Sequence, residues 1–131
     1  MRIDFTNKRI IESEEISIND FDITSFFYDQ IGNKIYCIFR NDYIEKNCLI
    51  TYSNVISVEI QSCNFLGDSF KVLNWKLGEK SKSKTTTKVA KLKNADYLKP
   101  QFEECDRLVE TILTFYSGNT ITILCEYIDF K

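Results

Sequence analysis

The last quarter of the chain, RLVETILTFYSGNTITILCEYIDF (residues 107–130), constrains the fold more than any other stretch. Two apolar runs with period-two alternation flank Ser117-Gly118-Asn119, and nothing in them repeats at helical spacing. That pattern predicts a β-hairpin. With a three-residue loop over Ser117 to Asn119, Tyr116 faces Thr120. Leu113 and Phe115 then share one face with Ile123 and Ile121, while Thr114 meets Thr122 and Ile112 meets Leu124. The same register sets Arg107 opposite Asp129, which is favourable, and Glu110 opposite Glu126, which is not unless a bulge parts them. A two-residue Gly118-Asn119 loop would exchange the two faces, so only one of these registers can be right.

Toward its far end the hairpin is apolar on both faces, with Ile112, Leu124 and Ile128 joining Leu108 and Cys125. A ribbon of that kind must be covered on both sides, which places it centrally in a sheet or barrel wall. An isolated hairpin is not stable in water, so further strands are required. Burial of Leu113, Phe115, Ile121 and Ile123 contributes roughly 1.5–3 kcal/mol each, gross.

The rest of the chain supplies those strands. Met1, Ile3 and Phe5 alternate, as do Ile16 and Ile18, with an acidic bend of Glu12, Glu14 and Glu15 between them. A second hairpin is expected from ITSFFYDQ, a turn at Ile31-Gly32-Asn33, and KIYCIFR. In it Ile35, Cys37 and Phe39 lie on one face and Tyr36 and Ile38 on the other. Two short strands follow, over residues 47–52 and 55–60, split by Ser53-Asn54. After a loop at Gly67-Asp68 comes a strand over 70–77, with Leu73, Trp75 and Leu77 on one face. Only residues 100–108 carry a helix signal, with Pro100 in a first turn followed by acids. The expected architecture is all-β: an antiparallel barrel or sandwich of about eight or more strands, with one short helix at most, near residues 100–108.

At 131 residues the chain is expected to form a single globular domain. One compositional shift interrupts it, over residues 79–99. Seven lysines there face only Glu79 and Asp96, a formal +5 that leaves −7 on the rest of a chain whose net charge is −2. It reads as a solvated loop or an edge segment whose lysines block edge-to-edge pairing. Lys80, Lys82 and Lys84, with the aromatics Phe65 and Trp75, are the candidate partner contacts. For Trp75 an inward strand position favours a core role. Nucleic acid is disfavoured as a partner, because the lysine segment lacks arginine and has only Tyr97 to stack on a base.

There is no histidine. Ser-His-Asp and Cys-His nucleophile systems, HExxH zinc sites and imidazole bases are therefore excluded. The five cysteines, Cys37, Cys48, Cys63, Cys105 and Cys125, are odd in number and contain no CxxC, so they are expected to be reduced thiols. No catalytic residue, metal site or cofactor is predicted. The carboxylates Asp20 with Asp22, and Glu103 with Glu104 and Asp106, lack calcium-loop spacing. No run reaches membrane-span length and the N-terminus lacks a signal core, so a cytoplasmic protein with no membrane attachment is expected.

The functional expectation is a small non-enzymatic module that binds another protein, as a toxin-neutralising immunity protein or an adaptor does. The alternatives are a β-barrel holding a small apolar ligand and a carboxylate-dependent enzyme. A ligand-sized cavity would favour the first and converging carboxylates the second. An exposed apolar patch without either would favour protein binding.

Overall fold

Asp29 begins the first tight turn. Its Oδ1 accepts the backbone N–H groups of Ile31 and Gly32 at 3.1 and 3.2 Å, and Asn33 takes a left-handed conformation at φ 52°. In the computed structural model, which describes residues 1–62, 70–78 and 107–131, this turn joins β2 (Asp22–Asp29) to β3 (Lys34–Asn41). Asn41 begins the next turn in the same way, its Oδ1 accepting the N–H of Tyr43 at 3.0 Å, and β4 (Lys46–Gln61) follows. The remaining strands are β1 (Arg2–Ile3), β5 (Val72–Leu77), β6 (Val109–Phe115) and β7 (Thr120–Phe130). Two short 3₁₀ helices, Lys8–Glu12 and Glu14–Ile16, occupy the region where the sequence suggests an acidic bend.

The described residues thus form seven strands in one antiparallel sheet, ordered β2-β3-β4-β7-β6-β5, with β1 paired to the far end of β7. The expected β class holds. The helix expected near residues 100–108 and the lysine segment at 79–99 lie outside the described residues.

Three local expectations are corrected. The C-terminal hairpin pairs Leu113 with Ile121, Thr114 with Thr120 and Glu110 with Leu124, two residues away from the expected register. Its loop is longer, closed by Phe115 N–H to the Asn119 carbonyl at 2.9 Å and Gly118 N–H to the Phe115 carbonyl at 2.9 Å. A shift of two preserves the faces, so the expected core residues stay inside while the Glu110–Glu126 clash disappears. Asp129 consequently faces Arg2 of β1 rather than Arg107, with the guanidinium Nε 3.5 Å away.

Second, residues 47–52 and 55–60 are one strand, not two. Asn54, at φ 54°, and a register shift between Val55 and Ser57 make a β-bulge, which bends a strand without ending it. Third, a shift between Val72 and Asn74 turns β5 over. Val72, Trp75 and Leu77 point inward and Leu73 outward.

The sheet curls until its first and last strands touch. Val72 N–H donates to the Phe21 carbonyl at 2.8 Å, Asp20 N–H to the Val72 carbonyl at 2.8 Å and Ile23 N–H to the Phe70 carbonyl at 3.0 Å. Among the described residues only this corner is joined, and the ladder does not run continuously around the wall. Ile35, Cys37 and Phe39 of β3, Ile50 and Tyr52 of β4, Leu113 of β6 and Ile123 of β7 fill the inside as one buried cluster. Ile11, Ile16 and Ile18 from the N-terminal segment complete it.

Candidate interaction surface

The pairing register lines up two rows of side chains on the outer face of β2, β3 and β4. Phe27 faces Tyr36, which faces Thr51, and Ser25 faces Ile38, which faces Leu49. Solvent-facing positions of an antiparallel sheet ordinarily carry polar side chains. Here Phe27 is 61% and Ile38 41% exposed, with Tyr36 and Leu49 half-buried between them. The Phe27 and Tyr36 rings lie 6.3 Å apart at a tilt of 34°. At the β2–β3 tip Ile31 is fully exposed.

The two arginines at the margins of this face are engaged with neighbours. The Arg2 guanidinium lies 4.0 Å over the Tyr127 ring and beside Asp129. Lys34 stands directly opposite Asp29, and Arg40 contacts Asp42 and donates to Asn47 Oδ1 at 2.9 Å. Between these margins the strip is apolar and aromatic.

A second apolar feature lies on the inner side of the same hairpin. Phe26 and Tyr28 of β2 and Val55, Ile56 and Val58 of β4 line an open groove of about 300 Å³ with Ile35 at its base. The groove exists because β4 outruns β3. Residues 46–53 pair with β3, Asn33 caps the Val55 position, and among the described residues 56–61 pair with β7 alone.

A third site holds carboxylates. Asp20, Asp22 and Asp42 surround a depression of about 610 Å³ with Asn41, Tyr43 and Lys71. Tyr116 Oη donates to Asp20 Oδ1 at 2.7 Å, Asp22 lies 3.8 Å from the Lys71 Nζ, and Asp42 belongs to Arg40. Each carboxylate is thus committed to a neighbour, and Tyr116 and Lys71 tie the joined corner of the sheet. Among the described residues no cluster of cysteine or carboxylate ligands forms a metal-holding group.

Of the residues singled out from sequence, Lys80, Lys82, Lys84 and Phe65 lie outside the described residues, as do Glu103, Glu104 and Asp106. Trp75 is 5% exposed and stacks on Phe130, with ring centroids 6.2 Å apart, so it serves the core. Its Nε1, Tyr52 Oη and Thr111 Oγ1 are buried without completed hydrogen bonds, and Trp75 and Thr111 lie near enough to influence the phenol. Burial above all raises the Tyr52 phenol well beyond its ordinary value.

The outer strip was partly visible in the sequence, since Tyr36 and Ile38 fall on the face opposite Ile35, Cys37 and Phe39. What identifies it as a surface is that Phe27 and Ile38 stay exposed in the fold, and pattern alone does not contain that information. No family model matches the chain, and no curated protein matches it.

Proposed function

We propose that this chain is a non-enzymatic protein-binding module that docks through the outer face of β2, β3 and β4. One observation carries the reading: Phe27 and Ile38 lie exposed beside Tyr36 and Leu49 at positions where a solvated sheet face would be polar. An apolar strip of this kind gains most from a partner that removes it from water. A protein with a complementary apolar patch does so. A polyanion gains little from an apolar strip whose marginal arginines, Arg2 and Arg40, already have carboxylate partners, because phosphate contacts depend on available cations. The wall is best read as an incompletely closed barrel whose interior is occupied by its own side chains, which disfavours an internal apolar ligand. Reduced Cys37, Cys48 and Cys125 suit a reducing compartment, and we place the protein in the cytoplasm.

The test is native purification from host extract, with mass spectrometry of whatever travels with the chain, repeated for Phe27→Asp and Ile38→Asp. A stoichiometric protein companion should be retained by wild type and lost by both variants, with the thermal midpoint nearly unchanged. A companion that survives both substitutions, or no companion at all, would overturn the proposal.

A further inference from the structure

Residues 56–61 of β4 have a sheet neighbour on one side only among the described residues. Their side chains are also open to solvent, with Ile56 61%, Val58 40% and Ile60 60% exposed. An unpaired row of backbone donors and acceptors is satisfied best by another strand, and proteins that must stay single protect such rows with lysine, proline or inward charge. ISVEIQ, residues 56–61, carries none of these three, and the bulge that bends β4 lies at the start of the run, between Val55 and Ser57.

We infer that this edge pairs with the same edge of a second copy, antiparallel about a two-fold axis through Val58. The choice of occupant rests on self-complementarity. A two-fold axis perpendicular to a sheet brings together residues of the same parity, so each candidate register is fully specified. With Val58 on the axis, Val58 meets its own copy, Ile56 meets Ile60 and Ser57 meets Glu59. Apolar side chains then face one another and the two glutamates stay apart. Centring on Glu59 would oppose like charges directly, which is destabilising. Centring on Ser57 would carry Ile60 past the free run toward Asn54, whose amide already donates to Glu126 Oε2 at 2.6 Å. The Val58 register joins the two sheets across the dimer.

This inference is independent of the proposed docking face, which lies on the other side of the β2–β3 hairpin. Sedimentation or light scattering of the full chain across a concentration series should give twice the 15.4 kDa monomer mass. Val58→Lys and Val58→Glu should each reduce the mass to one monomer by placing like charges on the axis, with the far-UV spectrum kept. Mixing the two variants in equal amounts should restore the double mass. Val58→Cys should form an interchain disulfide under mild oxidation where wild type does not, which serves if a charged variant fails to fold. A wild-type chain that stays monomeric, dimers that persist in both charged variants, or folded variants that do not pair on mixing would each overturn the inference. Phe27→Asp should leave the dimer mass unchanged, which separates this result from the test of the docking face.

Discussion

Individual side chains in the core carry consequences that can be titrated. Burial raises the Cys37 thiol, helped by neighbouring Cys48, and raises that of Cys125, helped by Glu126, each from 9.0 to about 12; burial raises Cys48 to about 11. The folded state therefore holds protons that the unfolded state releases above pH 9. Stability is at its full value below that point and declines as the pH climbs toward the folded values, by up to about 1.4 kcal/mol per pH unit for each retained proton. Urea midpoints measured from pH 8 to pH 11 should fall, and Cys37→Ala should flatten the fall while lowering the starting value. Gly78 gives a steric case. Its N–H donates to the Glu110 carbonyl at 2.8 Å, and a Cβ there would come within 2.8 Å of the buried Glu110 Cδ. Gly78→Ala should cost about 1–3 kcal/mol by overpacking. Adding Glu110→Ala should recover most of that cost in the same denaturation experiment. At this scale the sequence was informative about cysteine, since Cys37, Cys48 and Cys125 sit in apolar strand patterns. It was silent about Glu110, whose burial depends on neighbours that no local pattern names.

The strands show where sequence reading succeeds and where it stops. Faces were legible: Ile35, Cys37 and Phe39 are inside as alternation requires, and so are Leu113 and Ile123. Register was not, because a shift by two residues leaves every face unchanged and alters only the partners. The loop that decides it, with Gly118 at φ 88° and Ser117 buried, is shaped by contacts outside the alternation. Bulges were the other blind spot. Ser53-Asn54 resembles a turn in sequence, yet the chain continues through it as strand because β7 pairs on both sides of the bend. The two halves of β4 should differ in hydrogen exchange. Amides of residues 50–53 lie between β3 and β7 and should exchange slowly in every variant. Alternate amides over 56–61 should be slow in wild type and fast in Val58→Lys, where the pairing edge is released.

At the level of the whole molecule, β4 and β7 are the strands that every other part depends on. β7 pairs with β4 along most of its length, with β6 on its other side, and with β1 beyond the end of β6. The corner that joins β2 to β5 adds the hydrogen bond from Tyr116 to Asp20, and Tyr116→Phe should loosen it only slightly, because the bond is exposed to water. A thermal melt of that variant, compared with wild type, measures the loss. The candidate docking surface was the least legible feature, since the exposed strip of Phe27 and Ile38 exists only once three strands stand side by side.

The central position of β7 also governs how the wall can be made during synthesis. Residues 120–130 emerge from the ribosome after the other described strands, yet they form the seam into which β4, β6 and β1 fit. Until then β4 is a long apolar strand with a bare edge, and the contacts that will cover it are distant in sequence. Such topologies fold slowly, and their nascent chains depend on being shielded from one another.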